Sequence, residues 1–321
     1  MNLMKTTMDT SLSIQGRHLL SWTDFSQSDV SKLLSMTQYL KENPYSKALS
    51  GKVLALLFEK SSTRTRVSFE VGMTQMGGHA LYLNSNDIQL GRGESIHDTA
   101  KVLSGYVDGI MYRTTSHEKL KELSEHATVP VINGLCDLYH PCQALADLFT
   151  IVELKGSLKG MNAAFIGDGN NVAHSFMILA SMMGVNVKVA TPKGYEPDPE
   201  LVEKSMQLSK DAAGAVQITH DPEEAVQNAD IIYTDVWTSM GQEEEAEKRL
   251  QAFEGFQVNE RLMSKAEPDA HFLHCLPAHR EEEVTTGVID GPQSAVFQQA
   301  ENRLHAQKAI LHALLASKDT L

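Results

Sequence analysis

Val53-Leu54-Ala55-Leu56-Leu57-Phe58-Glu59-Lys60-Ser61-Ser62-Thr63-Arg64-Thr65-Arg66-Val67-Ser68-Phe69 is the stretch that decides the fold. An unbroken apolar run with polar punctuation on its far side reads as a strand covered on both faces, the environment of a parallel sheet. A helix that starts at the Ser-Thr pair leaves its first N–H groups without intrahelical partners, and its dipole favours negative charge there. Ser62, Thr63 and Thr65 add hydroxyl donors, and Arg64 adds a planar fork for two oxygens of a tetrahedral anion. The plainer alternative is an ordinary N-cap followed by solvated arginines. Two arginines interleaved with hydroxyls directly after a buried strand tip the reading toward an anion site.

Outward from this stretch the same rhythm recurs. Short apolar runs at Ala80–Leu83, Gly109–Tyr112, Thr128–Ile132, Ala163–Gly167, Asn186–Ala190, Val216–Thr219, Asp230–Thr234 and His271–Cys275 alternate with segments of helical period. Strands alternating with helices predict an α/β chain of βαβ units, and the length suggests two doubly wound parallel-sheet domains joined by helices. Pro141 to Val152, with Pro at a first helical position, reads as the connector. The loop Lys155–Gly160 marks the boundary, and Lys193–Pro199 reads as a surface turn. The final segment carries an apolar stripe at Val296, Ala300, Leu304, Leu311 and Leu315 that needs something to pack on. We expect it to return to the first lobe, so that residues 1–150 with 296–321 form one domain and 151–295 the other.

Composition narrows the class. With 321 residues and 42% hydrophobic content the chain can bury a substantial core. A formal net charge of -13 argues against nucleic acid or an anionic membrane as partner, so any anionic ligand has to be held by local arginines. Cys136, Cys142 and Cys275 are sparse and odd in number, which fits a reducing, cytoplasmic compartment better than a disulfide framework. Met1 to Gln15 lacks the apolar core of a signal peptide, and no run of eighteen apolar residues suggests a membrane span.

Ligands of open parallel sheets sit beyond the carboxyl ends of the strands, so the residues after each run carry the chemistry. Arg113 follows the third run, and His140-Pro141-Cys142-Gln143 opens a helix after the fourth. Guanidinium, imidazole and amide donors on one rim suit an oxyanion or a polarised carbonyl. A merely capping histidine is the alternative for His140 alone; Gln143 one turn later, in line with Arg113, favours the site. Gly167-Asp168-Gly169-Asn170-Asn171 resembles a dinucleotide loop but has Val172 where the third glycine belongs. Its adjacent amides would fix a polar group such as a carboxylate, or simply make an Asx turn. Asp235, in Asp235-Val236-Trp237-Thr238-Ser239-Met240-Gly241, offers a carboxylate for an ammonium, and Gln242 to Arg249 reads mostly as a solvated helix face or part of a mobile loop. For Cys275, in His274-Cys275-Leu276-Pro277, the alternatives are a buried thiol, a nucleophile and a metal site with His271, His274 and His279. A polar contact at the strand end fits best, because His274 should point to the opposite face and the spacing matches no zinc pattern.

Ser62-Thr63-Arg64-Thr65-Arg66, His140-Pro141-Cys142-Gln143, Asp235 to Gly241 and His274-Cys275-Leu276-Pro277, taken in order, resemble the aspartate/ornithine carbamoyltransferase family in its ornithine branch. The likeness runs from about Gly16 to about Leu315. It implies a carbamoyl-phosphate domain first, an ornithine domain second, a homotrimer with sites at subunit interfaces, and no metal or organic cofactor. The resemblance assigns phosphate to Ser62, Thr63, Arg64 and Thr65, and the carbamoyl group to Arg113, His140, Gln143, Cys275 and Leu276. It adds Arg303 as a further contact, and Gln89 as a residue reaching into a neighbouring subunit. It gives the amino-acid end of L-ornithine to Asn171, Asp235, Ser239 and Met240. The implied reaction is carbamoyl transfer from carbamoyl phosphate to the δ-amine, with Arg113, His140, Asp235 and Cys275 acting on the reacting groups. Putrescine or N-acetylornithine is the competing acceptor. A nicotinamide-dependent oxidoreductase is disfavoured by the broken glycine pattern, and a non-catalytic paralogue by the intact motifs.

Overall fold

A computed structural model describes residues 14–238 and 245–317. The first sheet comprises β1 (Val53–Phe58), β2 (His79–Asn84), β3 (Gly109–Arg113) and β4 (Val131–Leu135), all parallel, in the order β2-β1-β3-β4. Its helices are α1 (Gln27–Glu42), α2 (Thr63–Gln75), α3 (Ile96–Ser104), α4 (His117–His126) and α5 (Pro141–Lys155). The second sheet comprises β5 (Asn162–Ile166), β6 (Asn186–Ala190), β7 (Val216–Thr219), β8 (Ile231–Thr234) and β9 (His271–His274), also parallel, in the order β7-β6-β5-β8-β9. Helices α6 (Asn171–Met182), α7 (Pro199–Asp211), α8 (Pro222–Val226), α9 (Ala246–Ala252), α10 (Glu260–Met263), α11 (Thr286–Ile289) and α12 (Val296–Leu315) complete the chain. No helix among the described residues is long and apolar enough to cross a membrane.

Each strand order reverses once, between β1 and β3 and between β5 and β8, and a reversal opens a crevice at the carboxyl ends of the strands. Both crevices face one cleft. β1 reads as the sequence implies, buried from Leu54 to Phe58. The fourth strand starts later than the expected Thr128–Ile132, because it follows Pro130 and runs on through Asn133 and Gly134. Leu19 pairs with it, its N–H reaching the Val131 carbonyl at 2.8 Å while its own carbonyl accepts from the Asn133 N–H at 2.8 Å. This added pairing draws residues with weak strand preference into the sheet.

Helix α12 packs on α1, α2 and α5, so the chain does return to the first lobe. The expected apolar stripe describes it in part, since Val296, Leu311 and Leu315 are buried. Ala300 and Leu304 are half-exposed, whereas Gln299, Asn302, Arg303 and Lys308 are buried. These polar groups are tolerated inside because each is hydrogen-bonded. Asn302 bridges Thr150, Glu153 and Lys41, and Lys308 Nζ donates to the Leu40 and Pro44 carbonyls and to Gln75 Oε1. Burial lowers the Lys308 ammonium to about 8.

The loop after β5 explains its broken glycine pattern. Gly167 has φ +137°, and a Cβ on Gly169 would lie 2.2 Å from the Pro197 nitrogen, so the second glycine admits the backbone of the following loop and no ligand is needed to account for it. The Lys193–Pro199 segment is therefore only partly a surface turn, with Pro197 buried against Gly169. Gly169→Ala should destabilise the protein by about 1–3 kcal/mol through overpacking, read as a lowered denaturation midpoint. An unchanged midpoint would mean that the loop does not rest there.

Candidate active site

A cleft of about 690 Å³ lies between the carboxyl ends of the two sheets. One wall is the start of α2. Ser62 caps the helix, its Oγ accepting from the Thr65 N–H at 3.3 Å, as the plain N-cap reading expects, and the same turn lines the cleft. Arg64 lines the cleft, whereas Arg66 leaves it, pairing with Glu70 at 2.9 Å and lying over the Tyr82 ring at 3.7 Å. Arg113, the last residue of β3, follows a register shift in the β3/β4 ladder and is buried at the floor. Arg303 comes from α12, 3% exposed, donating to Gln143 Oε1 at 2.5 Å and Thr65 Oγ1 at 3.3 Å.

No ion pair ties Arg64, Arg113 or Arg303 to a carboxylate among the described residues, and the Nε atoms of Arg113 and Arg303 are buried without a partner. Loss of water, then the nearby Arg303 and Arg64, pull the Arg113 guanidinium down to about 10, which still leaves it charged at neutral pH. Burial, followed by the positive charges of Arg303, Arg113 and Arg64, holds His140 well below the usual imidazole range. It is a neutral ring, with Nδ1 unpartnered among the described residues. Such a cluster is stable only if an anion or water completes it.

The opposite wall comes from the second sheet. Asp235, after β8, accepts from Cys275 Sγ at 3.0 Å and from Asn170 Nδ2 at 2.9 Å. Removal from water and the Asp235 carboxylate push the Cys275 thiol well up, so it is a protonated donor and not a thiolate nucleophile. His274 turns to the other side of β9, as strand alternation requires, and meets the buried Glu283 at 3.1 Å. Its Nδ1 accepts from the Leu276 N–H at 2.9 Å, fixing Leu276 at φ +56°, a left-handed value that costs a branched residue about 1–3 kcal/mol. Asn170 is the Asx cap of α6, and Asn171 gives its amide nitrogen to the Cys136 carbonyl at 2.6 Å, joining the walls. The oxygen and the second N–H of the Asn171 amide are left for a ligand.

The cleft thus gathers Ser62, Thr63, Arg64, Thr65, Arg113, His140, Gln143, Asn171, Asp235, Cys275, Leu276 and Arg303 from the sequence reading. It does not include Gln89, which is exposed on a short helical turn elsewhere. Ser239 and Met240 lie outside the described residues. The sequence pattern gives no sign of the role of Arg249, which falls in a stretch that reads as a solvated face. Arg249 is buried, with Nη1 on Asp168 Oδ2 at 2.8 Å and on the Trp237 carbonyl at 2.9 Å. Nor does the pattern mark His174, which bridges the Leu138 carbonyl and the Asp198 N–H across the cleft wall.

Residues 17–153 match the carbamoyl-P binding domain of aspartate/ornithine carbamoyltransferase, and residues 159–314 match the Asp/Orn binding domain. The chain belongs to the aspartate/ornithine carbamoyltransferase family. Among its relatives, ornithine carbamoyltransferase of Bacillus subtilis is 59% identical over 306 residues, covering 95% of this chain and 96% of that protein. The Anoxybacillus flavithermus ornithine carbamoyltransferase is 56% identical over 312 residues, 96% of this chain and 99% of the other. The structure of ornithine carbamoyltransferase from Pyrococcus furiosus superposes with a TM-score of 0.92 at 54% identity, covering 94% of this chain and 98% of that one.

For a carbamoyltransferase of this build, a neutral His140 has a consequence for stability. Its folded pKa lies below the unfolded value of about 6.5, so below that pH the unfolded chain binds a proton that the native chain does not, and stability falls. Melting temperature should therefore drop between pH 7.5 and 6.0, and the slope should be shallower in His140→Asn. A slope untouched by the substitution would mean that the native imidazole accepts the proton.

Proposed function

We propose that this chain transfers the carbamoyl group of carbamoyl phosphate to the δ-amine of L-ornithine, giving L-citrulline and phosphate. The observation that carries the reading is the facing of two unlike walls. Arg64, Arg113 and Arg303 meet the first turn of α2 on one side, and Asp235 with Cys275 and Leu276 stands on the other. A phosphate dianion matches the first wall and an aminoalkyl group the second.

In this reading Ser62, Thr63, Arg64 and Thr65 hold the phosphate, while Arg113, His140 and Thr65 receive the charge that grows on the carbonyl oxygen. The δ-nitrogen attacks the carbonyl carbon, and a C–N bond forms as the bond to the phosphate oxygen breaks. The nitrogen's surplus proton leaves with the phosphate. Removing one preorganised donor from such a site costs about 3 kcal/mol of transition-state stabilisation. Asp235 and the Cys275 thiol align the amine, and alignment of two bound reactants contributes several kcal/mol. Because the attacking amine must be neutral, rates should rise through mildly alkaline pH. Asn171, Asp235, Ser239 and Met240 are assigned to the amino-acid end, and residues 1–150 with 296–321 and 151–295 to the two substrate domains. A cytoplasmic homotrimer accompanies this reading, with Gln89 completing a neighbour's site; its exposure away from its own cleft supports that role.

The experiment is citrulline formation from carbamoyl phosphate with ornithine, putrescine or N-acetylornithine as acceptor. Ornithine should be strongly preferred, and a preference for either of the others would reassign the second wall. Arg64→Ala and Gln89→Ala chains should each be nearly inactive, yet regain part of the activity when mixed and reassembled, since some sites then take both intact residues. An active monomer, or near-native turnover by Arg64→Ala, would remove these assignments.

A further inference from the structure

Behind the cleft a carboxylate is buried in α5, away from both walls. Asp147 is 0% exposed, and its Oδ1 accepts from Gln143 Nε2 at 2.8 Å and from Gln299 Nε2 at 2.7 Å. The outer ends of these two amides reach opposite sides. Gln143 Oε1 accepts from Arg303 Nη1, which also bonds through Nη2 to Thr65. Gln299 Oε1 accepts from the His274 backbone N–H at 2.9 Å, at the end of β9 just before Cys275 and Leu276.

A glutamine amide has a donor end and an acceptor end of almost equal shape, and its orientation follows from its partners. A carboxylate accepts only, whereas a guanidinium and a backbone N–H donate only. Each amide therefore has one orientation that satisfies both of its ends. We propose that Asp147 is a positioning residue for both halves of the site: it fixes the orientation of Gln143 and Gln299, and through them the placement of Arg303 on the anion side and of the β9 end on the amine side. A direct ion pair would consume the charge of Arg303. The intervening amide leaves the guanidinium available to an anion while Asp147 still favours it electrostatically. Burial pushes the Asp147 carboxyl up to about 6 and the bonds from Gln299 and Gln143 hold it down, so it is ionised at neutral pH. Tyr233, from β8, lies beside it, its phenol kept neutral by burial and by that same carboxylate.

The proposal rests on the carbamoyl-transfer reading for the identity of its two substrates. Asp147→Leu keeps the side-chain size and strands both amides; KM should rise at least about tenfold for both carbamoyl phosphate and ornithine, the size of one lost buried hydrogen bond of about 1.4 kcal/mol. Asp147→Asn retains an acceptor at the Oδ1 position and should rescue both values to within about threefold of wild type. Gln299→Met cuts only the branch to His274, so KM for ornithine should rise while the calorimetric affinity for inorganic phosphate, held on the Arg303 side, stays within about twofold. A role confined to stability would lower the yield of folded enzyme and leave these values alone. Folded Asp147→Leu with both KM values unchanged, or Gln299→Met weakening inorganic phosphate as much as ornithine, would overturn the proposal. Should Asp147→Leu fail to fold, the Gln299→Met split decides. Wild-type protein that makes no citrulline would defeat the carbamoyl-transfer reading instead; calorimetry with inorganic phosphate, weakened by Asp147→Leu and untouched by Gln299→Met, would still test the placement of Arg303.

Discussion

The structure depends on holding like charges together where water is scarce. Arg64, Arg113 and Arg303 line one cleft in a chain whose formal net charge is -13, and, beyond burial, the charge of Arg64 lowers the pKa of both Arg113 and Arg303. Desolvated guanidiniums side by side cost several kcal/mol per ion unless something negative joins them. The compensation supplied by the protein is indirect. The Asp147 carboxylate stands one amide away from Arg303, and the α2 N-terminus adds hydroxyls and unpaired N–H groups in place of counter-charge. An anion that enters repays this cost and raises the stability of the folded chain by mass action.

The fold serves that arrangement. Two parallel sheets each reverse strand order once, and the loops at both reversals open into the same cleft. Helix α5 packs against β4 on one side and α6 on the other, while α12 returns to lie on α1, α2 and α5. The return of α12 places Arg303 beside Thr65, which is 238 residues away in sequence. Pairing of the amine wall is equally non-local, since Asp235 and Cys275 come from the ends of β8 and β9, neighbours in the second sheet.

Much of this was legible in the sequence because strand ends in a parallel sheet are marked by where apolar runs stop. All nine runs became strands, and the residues directly after six of them line the cleft, whereas those after β2, β6 and β7 do not. The failures have physical reasons. The apolar pattern puts a strand start at Thr128, but β4 begins after Pro130 and is supported by pairing with Leu19, a contact invisible to local pattern. The α12 stripe misled because apolar periodicity assumes one wet face, whereas this helix is wrapped by others and buries Gln299, Asn302 and Lys308 through hydrogen bonds. Arg249 sits in a charge-rich stretch, and nothing local distinguishes it from its solvated neighbours. Asp147 was hidden inside an apolar helix, where only the three-dimensional meeting of two glutamines gives it a role.

The most direct measurement of the central claim is hydrogen–deuterium exchange during titration with inorganic phosphate alone. The anion is expected to bind the free protein with one site per chain and to slow exchange in residues 62–66 and around residues 113 and 140–143, leaving residues 235 and 275 unaffected. Saturable phosphate binding with no protection in the first turn of α2, or no binding at all, would contradict the account of the cleft as an anion site built from unneutralised arginines.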